Sequence, residues 1–118
     1  MDVFHWARLK AEGPYPLRRG AWYRVIEFDL HEVVLDVQWR PVSVPRSLVE
    51  IVDQRPLSWT AVPRPRDAVR LREDWDQYAV CPSCGNRASL EGAPHELRCG
   101  QCEGLFPVDW NEKYLGRA

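Results

Sequence analysis

The sequence predicts a mainly β protein built as two small units, and three observations carry that expectation. Ten prolines in 118 residues break the chain into short elements and leave little room for long helices. Between Leu17 and Val62 five short segments rich in β-branched and aromatic residues follow one another at hairpin spacing. Beyond them, two Cys-x-x-Cys pairs stand fourteen residues apart.

The elements follow in chain order. Residues 2–12 read as a short amphipathic helix, with Val3, Phe4, Ala7 and Ala11 on one face and Gly13-Pro14 as its stop. The first sixteen residues are therefore an N-terminal arm or short helix. Ala21 to Asp29 alternates as a strand, Glu32 to Gln38 is the second after a turn at Asp29-Leu30-His31, and Pro41 to Val44 is the third. Val49 to Val52 and Leu57 to Val62 complete five, a number suited to a small barrel or sandwich over residues 17–62. Residues 63–77 form an arginine- and proline-rich linker, and residues 78–118 hold the cysteines and a tail.

Within the five-strand stretch, Val44-Pro45-Arg46-Ser47-Leu48-Val49-Glu50-Ile51 resembles the closing segment of an SH3-like barrel. There a proline-led single turn of 3₁₀ helix leads into the final strand. The resemblance implies the barrel shape; the acidic, tyrosine-rich loop that lines the proline-rich ligand groove of peptide-binding SH3 domains is not evident in residues 17–35.

Cys81-Pro-Ser-Cys84-Gly85 and Cys99-Gly-Gln-Cys102 are knuckles: each wraps a tight turn so that two thiolates converge and backbone N–H groups donate to sulfur. Two facing knuckles make the tetrahedral sulfur shell that Zn²⁺ favours. The intervening residues suit a hairpin, Arg87 to Leu90 out and Glu96 to Arg98 back across a turn at 91–94. The pattern resembles the zinc-ribbon and rubredoxin-like family over Ala79 to Val108, which implies one structural zinc held by Cys81, Cys84, Cys99 and Cys102. A disulfide framework and a redox dithiol are the alternatives; the absence of an export signal argues against the first, and the turn-forming Gly85-Asn86 against the second. Iron suits the same donors, although the gap is shorter than rubredoxins use. His95, four residues before Cys99, offers a Cys₃His shell as a further variant.

A closed shell of four thiolates leaves no position for substrate. No nucleophile elbow, phosphate-binding loop, dinucleotide fingerprint or HExxH motif is present, and Glu73, Asp74 and Asp76 around Trp75 read as a solvated acidic turn. His5, His31 and His95 are isolated from one another in the sequence. The expectation is therefore a non-enzyme with no evident small-molecule substrate. The absence of a signal peptide or an apolar span predicts a cytoplasmic protein that does not enter membranes.

Charge directs the choice of partner. Residues 1–62 carry eight basic and eight acidic side chains, whereas residues 73–118 carry four against eight. The metal unit is thus acidic even before its thiolates are counted, which opposes phosphate contact. The favoured expectation is a protein–protein interaction adaptor that docks on a larger assembly. Its candidate surface is Trp22 and Trp59 with the linker arginines Arg64, Arg66, Arg70 and Arg72. The same arginines, joined by Arg18, Arg19 and Arg24, are the basis of the alternative, a nucleic-acid-binding accessory factor of transcription or translation.

Overall fold

The computed structural model describes residues 4–10, 14–63, 77–112 and 114. It is mainly β, with two curled sheets of five strands each. The first sheet contains β1 (Trp6–Leu9), β2 (Tyr23–Phe28), β3 (Glu32–Val37), β4 (Arg40–Pro45) and β5 (Val49–Val52), in the order β4-β3-β2-β1-β5. The second contains β6 (Trp59–Pro63), β7 (Gln77–Val80), β8 (Arg87–Ser89), β9 (Glu96–Arg98) and β10 (Leu105–Asp109), in the order β8-β7-β6-β10-β9. One turn of 3₁₀ helix, Arg46–Leu48, leads from Pro45 into β5 as the local sequence implied. No helix among the described residues is long and apolar enough to cross a membrane.

The helix expected near the N-terminus is a strand over its described core. Trp6–Leu9 pairs antiparallel with β2 on one side and β5 on the other. At a period of two, Ala7 and Leu9 fall into the core of the first sheet, while Arg8 points the opposite way. Central pairing satisfies backbone groups along both edges of the segment, and this tertiary gain overrides a weak helical pattern only eleven residues long.

The five strands expected between Leu17 and Val62 all form, but they do not share one sheet. The last of them, β6, leaves the first sheet and becomes the central strand of the second; β1 supplies the fifth strand in its place. The reason lies in the side chains of β6, which is buried on both faces. Trp59 and Ala61 enter one core with Ala79, Cys81, Cys99 and Val108, and Val62 enters another with Ala21, Tyr78, Val80 and Tyr114. A strand with no solvent face suits a sheet centre covered from both sides. A separate core, built from Ala7, Leu9, Leu17, Val33, Leu35, Val44 and Val49, fills the first sheet.

Arg8 locks the two sheets together. The residue is 4% exposed, and its guanidinium donates from Nε to Glu50 on β5, from Nη1 to Thr60 Oγ1 on β6 at 2.9 Å and Glu112 Oε1 at 3.1 Å, and from Nη2 to Glu112 Oε2. Arg8 and Glu50 lie directly opposite each other in the β1–β5 ladder. The guanidinium carbon also lies 4.5 Å from the ring centroids of both Trp22 and Tyr114. Burial works against the charge, but the bonds and fields of Glu112 and Glu50 outweigh it and hold the pKa above the ordinary arginine value. Beside it, the Tyr114 hydroxyl donates to the carbonyl of Leu9 and accepts from Gly20 N–H at 3.0 Å. Gly20 has a φ of +78°, and a Cβ there would stand 2.6 Å from Val62 Cγ2, so the chain passes over β6 only as glycine.

Removing the buried guanidinium takes the donor from Thr60, while the Glu50 and Glu112 side chains, 39% and 29% exposed, stay partly hydrated. The Arg8→Ala variant is therefore expected to lose about 2 kcal/mol of stability in urea unfolding. Arg8→Lys should recover only part of this, because one ammonium does not reproduce the planar fork that meets Glu112.

Candidate metal centre

Each cysteine pair is the turn of a β-hairpin. β7 and β8 pair antiparallel around Cys81–Cys84, and β9 and β10 pair antiparallel around Cys99–Cys102. The hairpin expected between Arg87–Leu90 and Glu96–Arg98 does not form, because β8 and β9 lie at opposite edges of the sheet. Each of them instead folds back through its own knuckle onto its neighbour in sequence. β6 separates the two hairpins, antiparallel to β7 and parallel to β10.

The two turns repeat one another residue for residue. Cys81 N–H donates to the carbonyl of Asn86 at 2.8 Å, and Gly85 N–H returns to the carbonyl of Cys81 at 3.0 Å. In the second turn Cys99 N–H donates to Gly104 and Glu103 N–H returns to Cys99, both at 2.9 Å. The residue four after the first cysteine is left-handed in both, with φ of 77° at Gly85 and 64° at Glu103. Backbone donors reach sulfur at equivalent places: Ser83 N–H to Cys81 Sγ at 3.4 Å, and Gln101 N–H to Cys99 Sγ at 3.4 Å. Asn86 reaches across from one knuckle to the other, its Nδ2 3.8 Å from Cys99 Sγ.

The four sulfurs all lie within 4.8 Å of one another, with Cys81 to Cys102 at 3.7 Å and Cys84 to Cys99 at 3.5 Å. Tetrahedral ligands at ~2.3 Å from one ion would stand ~3.8 Å apart. The donor set fits a single thiophilic ion, and four cysteines so placed can hold a metal. The same distances are far beyond the ~2.05 Å of a disulfide, and all four cysteines are free. His95 is not a member of this cluster, which among the described residues is the one group of three or more metal-ligating side chains. Its backbone carbonyl accepts from Val108 N–H at 2.8 Å, at the start of β9 and away from the knuckle at the strand's other end.

The shell is asymmetric between its inner and outer halves. Cys81 and Cys99, the first of each pair, are buried; Cys84 and Cys102 are exposed. Burial also opposes the charge on Cys99, but donation from Cys102 and Gln101 N–H overcomes it and brings the thiol down to about 6. Burial and the neighbouring sulfurs of Cys99 and Cys81 push Cys84 up to about 12. Close thiols share protons in this way until a cation allows all of them to ionise.

The remaining expected site residues are scattered. Trp59, expected on an interaction surface, is fully buried, with Nε1 donating to the carbonyl of Leu97 at 2.9 Å, because it occupies the inner face of the central strand. Trp22 is half-buried beneath Arg8. Arg64, Arg66, Arg70 and Arg72, like Glu73, Asp74, Trp75 and Asp76, lie outside the described residues. What sequence reasoning missed is a set of exposed apolar side chains on the first sheet, Phe4, Ile26 and Phe28, and the tryptophan at the β3–β4 turn, Trp39, 94% exposed. The apolar residues Val25, Ile26 and Phe28 were the available signal, but the bulge between Val25 and Glu27 breaks the period of two, and alternation alone does not say which side chain is covered.

No family model matches the chain, and neither a curated protein nor a solved structure matches it.

The equivalence of the two turns gives a test. Glu103→Gly supplies the second knuckle with the residue that the first already uses at its left-handed position. It is expected to stabilise the metal-loaded protein by about 0.5–1 kcal/mol in urea unfolding. Gly85→Ala should do the opposite, since its Cβ would also press on Ala21 Cβ at 3.3 Å.

Proposed function

We propose that this chain is a non-catalytic zinc-binding adaptor, an SH3-like barrel joined to a zinc ribbon, that docks on a larger protein assembly. The observation that carries the docking role is an exposed strip on the first sheet. Phe4, Ile26 and Phe28 are 51%, 56% and 39% exposed. Arginines flank the strip: Arg24 lies 4.1 Å from the ring centroid of Phe4, and Arg46 lies 5.0 Å from that of Phe28. His5, next to Phe4 in the chain, meets Phe28 edge-on at 5.0 Å. Exposed aromatic rings with guanidinium groups held over them are the composition of protein interfaces. Of the surface read from the sequence, Trp59 is buried, and Arg64, Arg66, Arg70 and Arg72 lie outside the described residues.

Zinc is the metal this reading assigns, from four cysteine donors and a gap shorter than rubredoxins use. Cys81, Cys84, Cys99 and Cys102 would fill its coordination, so that it ties the ends of two hairpins together and supplies folding energy without taking substrate. The strand count and the proline-led 3₁₀ turn before β5 support the barrel reading.

Two measurements test the reading. Elemental analysis should give one zinc per chain, and Cys99→Ser should lower metal affinity at least tenfold and bring down the thermal midpoint. A metal-free protein with an unchanged midpoint would refute the structural role. For docking, affinity purification from the source organism should recover a defined protein complex that Ile26→Asp releases while circular dichroism stays native. Steep, salt-sensitive RNA binding with no protein partner would favour the nucleic-acid reading instead.

A further inference from the structure

A groove of about 720 Å³ runs between the first sheet and the first knuckle, with Cys84 in its wall. Its volume lies within the range of specific binding clefts. Arg18, Arg24 and Arg87 line it against a single carboxylate, Asp36, and the half-buried aromatics Tyr15 and Trp22 contribute apolar wall. Arg24 also belongs to the exposed strip, so groove and strip are continuous.

Two of these arginines are held in different ways. Arg18 Nη1 donates to the carbonyl of Gly85 at 2.7 Å, which fixes its guanidinium against the knuckle. Arg87 lies over the ring of Tyr78, 5.4 Å from its centroid, and its Nε–H is shut from solvent with no acceptor among the described residues. A buried donor without a partner is costly. The cleft is therefore lined by one cation whose Nε–H is closed off without an acceptor, and by a second cation pinned to the knuckle.

We propose that this groove receives a short acidic peptide segment of the docking partner, with a carboxylate bound between Arg18 and Arg87. The proposal rests on the protein-docking reading above. The walls favour a peptide over a phosphodiester chain. Asp36 faces the groove and repels a ligand with a charge on every unit. A peptide instead concentrates its charge on one side chain and offers backbone N–H groups to Asp36 and to the amides of Gln38 and Gln101. Arg87 turns to form a forked pair with the carboxylate and so satisfies its free donor.

The test is a titration of the ¹⁵N-labelled, zinc-loaded full chain, followed by NMR. The probe is a blocked pentapeptide with three acidic residues between glycines. The acidic peptide should move the amide signals of Arg18, Ser83, Gly85 and Gln101 saturably, and the Arg87 Hε signal with them. Arg87→Gln should weaken binding about tenfold with the fold unchanged, and the amide counterpart of the peptide should not bind. Absence of saturable shifts, or equal binding by the amide peptide, overturns the proposal. Tighter binding by oligothymidylate at the same signals overturns it in favour of nucleic acid. Loss of the groove alone leaves the Ile26→Asp result standing, whereas failure of the docking reading removes that result as well.

Discussion

One guanidinium, withdrawn from water and shared among three elements, holds this molecule in register. Arg8 comes from β1, an interior strand of the first sheet, yet its partners are Glu50 on β5, Thr60 on the central strand of the second sheet, and Glu112 just beyond β10. An arginine in such a place has no stable alternative: burial makes any missing partner costly, and its five donors require several acceptors at fixed angles. The geometry of Arg8 thus specifies where β5, β6 and the segment after β10 stand relative to one another. Trp22 and Tyr114 complete the enclosure from the sides. Tyr114 extends the lock to Leu9 and to Gly20, whose missing side chain lets the chain pass close over Val62 and Val80.

The cysteine cluster depends on that arrangement through β6. This strand stands between the two hairpins whose turns carry the cysteines, and pairs with β7 and β10 at once. Trp59 reaches from it to the carbonyl of Leu97 on the outer strand of the second hairpin. The sulfurs are therefore positioned from two directions: by their own turn hydrogen bonds, and by a sheet whose centre is tied to the first sheet through Thr60. Ion binding at the tips would close the hairpin pair, and the energy of that closure would be felt throughout the second core, since Cys81 and Cys99 belong to it.

The same packing decides what remains for contact with other molecules. Covering β6 on both faces consumes Trp59, Val62, Tyr78 and Val80, and leaves the outer face of β2 open. The β-bulge between Val25 and Glu27 sharpens the local twist, and Ile26 sits in it on the exposed side. The groove arises where the first knuckle approaches the β3–β4 hairpin. Its arginines come from three parts of the chain, and its acidic residue from a fourth.

Local information was enough for much of this. Alternation and β-branched composition located β2 to β6, Pro45 announced the 3₁₀ turn, and the cysteine spacing pointed to the cluster of four sulfurs. Each of these is a property of a few neighbouring residues, so the sequence by itself determined them. Pairing partners were another matter. That Trp6–Leu9 is a strand, that β6 serves the second sheet, and that β8 and β9 part to opposite edges are decided by contacts between residues tens of positions apart. Exposure followed pairing: Trp59 went inside with β6, and Ile26 and Phe28 stayed outside with β2. Arg8 carries no local sign of its role, because a lone charged residue in an apolar stretch is ambiguous until Glu50, Thr60 and Glu112 are brought around it. Only the tertiary structure could do that, since the stability of a buried charge depends on every group within reach of it and not on its neighbours in the chain.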